Sequence, residues 1–76
     1  MLKVVRNLIN AVNTGKKKAT CGNHWMEVSK DGVIRYYYHS TAVCTIKNGH
    51  VVYDNGGWGT SSTTRTINSY RQYYGE

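Results

Sequence analysis

The sequence predicts a small α+β domain: an antiparallel sheet of three to four strands, packed on one face by an N-terminal and a C-terminal helix, in the order α-β-β-β-β-α. Three observations carry this. Residues 2–13 repeat apolar side chains at helical spacing. Two Asx-Gly pairs, Asp31-Gly32 and Asn48-Gly49, each stand between runs rich in β-branched and aromatic residues. After Thr60 the period of the apolar positions changes back from that of a strand to that of a helix.

In the first element Leu2, Val4, Val5, Leu8, Ile9, Ala11 and Val12 fall on one arc, and Lys3, Arg6, Asn7 and Asn10 on the other. The β-branched residues leave a strand at 2–5 as the competing reading. Thr14-Gly15 supplies a stop, and "GKKKATCGN" (15–23) reads as a basic loop. "HWMEVSKDGVIRYYYH" (24–39) reads as a hairpin closed by a two-residue type I′ turn at Asp31-Gly32. "AVCTIKNGHVVYDN" (42–55) repeats the signal at Asn48-Gly49, which sets Ile46 opposite Val51 and Cys44 opposite Tyr53. With Ala42 these form a packed face. Thr41, Val43, Thr45, Lys47, His50, Val52 and Asp54 form a mixed one. A tight Ser40-Thr41 junction pairs the two hairpins in a register left open; one alignment sets Arg35 beside Ile46. "NGGWG" then connects strand to helix, with Trp58 expected as a plug in the core. Ser/Thr residues at 60–62 cap a helix whose inner arc holds Thr63, Ile67, Tyr70 and Tyr74. The expected core is Val5, Leu8, Ile9, Val12, Ala42, Cys44, Ile46, Val51, Tyr53, Trp58, Ile67 and Tyr70, and Trp58→Ala is expected to cost about 3–5 kcal/mol.

At 76 residues the chain reads as one domain, 1–76, and a domain of this size buries about 60% of the surface its unfolded chain exposes. It has no Phe and no Pro; its aromatic load is seven Tyr and two Trp, residues that pair apolar area with a polar handle. Ten Lys/Arg against four Asp/Glu give a net charge of +6, which attracts nucleic acid, anionic surfaces or acidic proteins and excludes a mimic of DNA. No apolar run approaches the roughly 20 residues of a membrane span, and Arg6, Asn7 and Asn10 interrupt any signal-peptide core. A cytosolic setting with reduced Cys21 and Cys44 follows as an expectation.

Chemical motifs are sparse. "GGWGTSS" lacks the spacing and the lysine of a phosphate-binding loop. Cys21 and His24 have a spacing seen at zinc sites, but His39 and Cys44 supply no second close pair, so zinc binding by Cys21, His24, His39 and Cys44 stays open beside the plainer reading of a buried thiol, a loop thiol and surface histidines. No nucleophile stands beside a base at a recognisable spacing, so the chain is read as non-enzymatic, without metal or other cofactor. A His-dependent ribonuclease using His24 or His39 with Lys16–Lys18 is the enzymatic alternative. Basic residues near "RYYYH" (35–39) suit phosphate contact with base stacking, and a helix-sheet-helix order is shared with the double-stranded RNA-binding domain. A basic nucleic-acid-binding module is therefore the second functional reading.

The stretch 36–70 carries an aromatic strand ending in Tyr38-His39, a small-residue turn at Ser40-Thr41, two short strands around Asn48-Gly49, then Gly57-Trp58, Thr63-Thr64 and Asn68. In order and spacing these resemble a family of small tailed-phage proteins. The resemblance covers about half the chain, leaves residues 1–35 uncovered and implies no catalytic residue. It implies a phage accessory protein of the host cytoplasm that binds and inhibits a host protein or ribonucleoprotein with an acidic surface, as in counter-defence against CRISPR or restriction systems, or host takeover. The partner surface expected from charge beside surplus tyrosine is Lys16, Lys17, Lys18, Arg35, Tyr36, Tyr38, Lys47 and His50. A free edge strand would also admit a homodimer.

Overall fold

The order of elements in the computed structural model, which describes residues 1–75, is α1 (Lys3–Asn13), β1 (Lys18–Cys21), β2 (His24–Val28), β3 (Ile34–Tyr38), β4 (Thr41–Lys47), β5 (His50–Tyr53) and α2 (Ser61–Tyr74). The five strands form one antiparallel meander in chain order, and both helices lie on the same face of it. The α+β class and the flanking helices match the sequence expectation. The sheet has one strand more, because the segment read as a basic loop contains β1.

β1 forms because Gly22 takes φ 64°, opening a two-residue turn that folds Cys21 back onto His24. Helix α1 ends as expected at Thr14-Gly15. Gly15 has φ 90°, its amide donates to the Val12 carbonyl, and the Lys16 amide donates to the Ala11 carbonyl at 3.0 Å. That pair of bonds is a Schellman stop. Thr60 caps α2, its hydroxyl oxygen accepting from the Thr63 amide at 3.2 Å.

Asn48-Gly49 turns as expected, with φ 52° and 80°, and gives the expected pairs Ile46–Val51 and Cys44–Tyr53. Asp31-Gly32 does not form a two-residue turn. The Gly32 amide donates to the Ser29 carbonyl at 3.0 Å, Gly32 alone takes positive φ (83°), and Ser29 and Val33 close the loop. This is a three-residue loop, Lys30–Gly32, made of a type I turn followed by a left-handed glycine. The Ser29 hydroxyl favours it by accepting from the Val33 amide at 3.1 Å. The consequence is a register shift of one residue. Val28 meets Ile34, Met26 meets Tyr36, and Arg35 meets Glu27. On the other side the turn is His39-Ser40 rather than Ser40-Thr41, which, with the irregularity on β4, pairs Arg35 with Thr45 and not Ile46. A one-residue shift exchanges the faces.

A second irregularity lies on β4, where Tyr36 pairs with Cys44 but Tyr37 pairs with Ala42. Val43 is the extra residue of a bulge. It turns inward and is fully buried, as is Cys44, while Ala42 is carried to the outer face beside Tyr37. The expectations for Val43 and Ala42 are thereby reversed.

The core is Val5, Leu8 and Ile9 from α1, Met26, Tyr36, Val43 and Cys44 from the sheet, and Ile67 and Tyr70 from α2. Val12, Ile46, Val51 and Tyr53 pack at its margin. Tyr36 and Tyr70 pack with ring centroids 4.4 Å apart and planes tilted by 34°, and the Tyr36 hydroxyl is hydrogen-bonded to that of Tyr74. Trp58 is not in the core. It is 62% exposed, so the expectation that it plugs sheet to helix, and that its loss costs several kcal/mol, is corrected. The two glycines before it explain why: Gly56 and Gly57 take φ 61° and 84° in a loop that runs across the surface. Gly56 lies so close to Thr41 that a Cβ there would meet Thr41 Cγ2 at 2.7 Å. The loop is exposed along its length, and Trp58 projects from it.

Candidate functional site

The register sorts the chemistry along the strands. At one end lie Lys47 opposite His50, then the row Lys18–Glu27–Arg35–Thr45–Val52. Lys17 belongs to this end, since its carbonyl accepts from the Val28 amide at 2.8 Å, and Lys16 precedes it. Lys30 stands in the loop that closes β2 onto β3. At the other end lie the rows Thr20–Trp25–Tyr37–Ala42 and Cys21–His24–Tyr38–Thr41, which hold no Lys or Arg.

Six of the eight expected partner-binding residues, Lys16, Lys17, Lys18, Arg35, Lys47 and His50, are therefore gathered at the basic end. All are exposed except Arg35, which is half-buried on the outer face. Tyr36 and Tyr38 do not join them. Tyr36 is 0% exposed and lies in the core between Met26 and Cys44. Burial, then the hydroxyl contact with Tyr74, drives its pKa far above the ordinary tyrosine value. Tyr38 shares the packed face at the neutral end, half-buried, with His24 at 4.7 Å and His39 at 4.5 Å between ring centroids.

The aromatics of the outer face are Trp25 and Tyr37 instead. They are cross-strand partners with rings 3.7 Å apart and 2° from parallel. The Trp25 Nε1–H donates to the His39 carbonyl at 2.7 Å, and the Tyr37 hydroxyl donates to Glu27 Oε1 at 3.1 Å. Burial, reinforced by that carboxylate, raises the Tyr37 pKa. The signal for Tyr37 was its place next to Tyr36. Once the Ser29–Gly32 loop fixes which of the two faces inward, the other must face outward. Neither helix covers this outer face among the described residues. It exposes Val52 at 60%, and its half-buried members Trp25, Glu27, Arg35 and Tyr37 form a continuous strip.

The histidines and cysteines separate. Cys21 and His24 are cross-strand partners, Cys44 is buried in the core, and His50 lies at the opposite end. Among the described residues no group of three or more His, Cys, Asp and Glu is placed to hold a metal ion. Burial of the Cys44 thiol pushes its pKa up to about 12, which makes it an inert group rather than a nucleophile. His24 has its pKa lowered, first by burial and then by His39, and its Nδ1 is buried without a hydrogen-bond partner among the described residues. Among the described residues no helix is long and apolar enough to cross a membrane. Compared with known proteins, the chain matches no family model, no curated protein and no solved structure.

Proposed function

We propose that this chain is a non-enzymatic binding protein that occupies an acidic surface on a host protein, as a small phage-encoded inhibitor acting in the host cytoplasm. The observation that carries the reading is the gathering of Lys16, Lys17, Lys18, Lys30, Arg35 and Lys47 at one end of an uncovered sheet face that also bears Trp25 and Tyr37. Trp, Tyr and Arg are the residue types that dominate interface energetics, and a cationic rim accelerates encounter with an acidic partner. The phage setting rests on the resemblance of residues 36–70.

Two features favour protein over nucleic acid. Glu27 sits between Lys18 and Arg35, where a phosphate backbone would meet repulsion. The Trp25 and Tyr37 rings face each other, so the pair presents its edges and outer surfaces as one block rather than two separate platforms for bases. The nucleic-acid module remains the second reading, supported by the same cluster of cations.

The test is a pull-down of tagged protein from host lysate, with and without nuclease, eluted in rising salt. One stoichiometric protein that survives nuclease, and that is lost when Lys16, Lys17 and Lys18 are changed to Glu, is the expected result. RNA or DNA that disappears with nuclease and elutes steeply with salt would replace it by the nucleic-acid reading.

A further inference from the structure

The neutral end of the sheet holds a cleft of about 430 Å³ between the β3–β4 turn and the first turn of α2. That volume falls within the range of small-molecule sites, roughly 300–1,000 Å³. Its aromatic walls are Tyr38, His39 and Trp58. Its remaining lining is hydroxyls, from Ser40, Thr41, Thr60, Ser62 and Thr63.

The cleft is built, not incidental. The Asp54 and Asn55 side chains accept from the Gly56 and Gly57 amides at 2.8 and 2.9 Å, and the Trp58 amide donates to the Asn55 carbonyl at 2.9 Å. Gly56 is seated on Thr41 with no space for a Cβ. The opposite wall is held by Trp25, whose indole fixes the His39 carbonyl while His39 itself takes φ 57°. This shaped loop spends its rigidity on presenting an indole that is 62% exposed, which packing does not require. Thr60 and Thr63 hydroxyls are hydrogen-bonded to each other. Those of Ser40, Thr41 and Ser62 meet no partner among the described residues.

We infer that this cleft binds a neutral sugar ring, stacked on Trp58 and hydrogen-bonded by the free hydroxyls of Ser40, Thr41 and Ser62. The C–H face of a pyranose carries partial positive charge and matches the negative face of an indole. Serine and threonine hydroxyls both donate and accept, as sugar hydroxyls require. The lining disfavours two alternatives. It has no Lys or Arg for a phosphate, in a chain whose net charge is +6. It has no Asn, Gln or Arg to read a base edge by paired hydrogen bonds.

The test is a heteronuclear NMR titration with glucose, galactose, N-acetylglucosamine, glucose 6-phosphate and adenosine, each to about 10 mM, reaching dissociation constants near about 1 mM. At least one neutral sugar should shift the Trp58 indole N–H signal and leave that of Trp25, locked to His39, in place. Trp58→Ala should abolish the shifts elsewhere in the cleft at an unchanged melting temperature, and Ser62→Ala should weaken binding several-fold. The Lys16/Lys17/Lys18→Glu variant, changed at the far end of the sheet, should bind sugar as the parent does, so failure of the cationic surface and failure of the cleft are read separately. No shift with any neutral sugar, a response to adenosine or the phosphorylated sugar alone, or undiminished binding by Trp58→Ala would overturn it.

Discussion

Tyr70→Phe should make this protein more stable. Tyr70 is fully buried, its ring packs on Tyr36, and its hydroxyl has no hydrogen-bond partner among the described residues. Burial raises its pKa well above the ordinary tyrosine value, the signature of a hydroxyl removed from water. An unpartnered buried polar group costs about 1–3 kcal/mol. Removing one oxygen forfeits a few dispersion contacts of about 0.1–0.2 kcal/mol each. The ring remains, so no large cavity forms, and the net expectation is a gain of about 1 kcal/mol. For a domain of this size that corresponds to a rise in melting temperature of about 4–8 °C. The comparison variant is Tyr36→Phe, which takes a hydrogen-bonding partner from the Tyr74 hydroxyl and should lose about 1 kcal/mol. Thermal and urea melts followed by circular dichroism measure both. If Tyr70→Phe lost 1 kcal/mol or more while Tyr36→Phe did not, the hydroxyl of Tyr70 would have a partner such as a buried water, and the reasoning would fail.

Gly56→Ala should lose about 1–3 kcal/mol in the same melts, because φ 61° is strained for an L-residue and the added Cβ would meet Thr41 Cγ2 at 2.7 Å; a neutral result would mean the loop relaxes freely. Alkaline conditions should destabilise the fold. The Cys44 thiol shifts from 9.0 to about 12, and Tyr36 and Tyr70 shift upward from 10.0, so above about pH 9 the unfolded chain binds fewer protons than the folded one and stability falls as pH rises towards 12. A flat urea midpoint from about pH 8 to about pH 11 would contradict that. On the acid side His24 has the opposite sign: its pKa lies below 6.5, so its contribution is present above that value and is lost as pH falls below it. His24→Gln should remove this acid-side loss from the pH profile of the urea midpoint.

Most of the fold was legible because helices and tight turns are written locally. The arc of α1, the Schellman stop at Gly15, the Asn48-Gly49 turn and the Thr60 cap each depend on a few neighbouring residues. The departures come from single residues that move whole strands. Asp31-Gly32 satisfies a two-residue turn and also the last two positions of a three-residue one, and only the Ser29 side chain and the pairing of Met26 with Tyr36 decide between them. The bulge at Val43 has no local signature; its effect is that Val43 and Cys44 are both buried. The exposure of Trp58 was hidden for a different reason. Gly-Gly-Trp reads equally as a plug or as a presented side chain, and the tie is broken by Thr41, distant in sequence.

The same register that sends Tyr36 and Tyr38 to the packed face would let the two proposed sites share so small a sheet. Lys47 and Thr41 mark opposite ends of β4, about 20 Å apart at the rise of an extended strand. That exceeds the screening length of about 8 Å at physiological ionic strength. The cations of the basic end would therefore attract the proposed acidic partner without charging the Trp58 cleft, as the proposed neutral ligand requires. Trp25 joins the two ends mechanically, stacked on Tyr37 on the outer face and bonded through Nε1 to the His39 carbonyl at the cleft wall. A partner that displaced the Trp25 ring would free the His39 turn, so occupancy of the outer face and of the cleft would be coupled through one hydrogen bond. Trp25→Phe keeps the stacking and deletes that bond. It should weaken sugar binding through the loosened His39 turn, whereas two independent sites would show no change in the cleft.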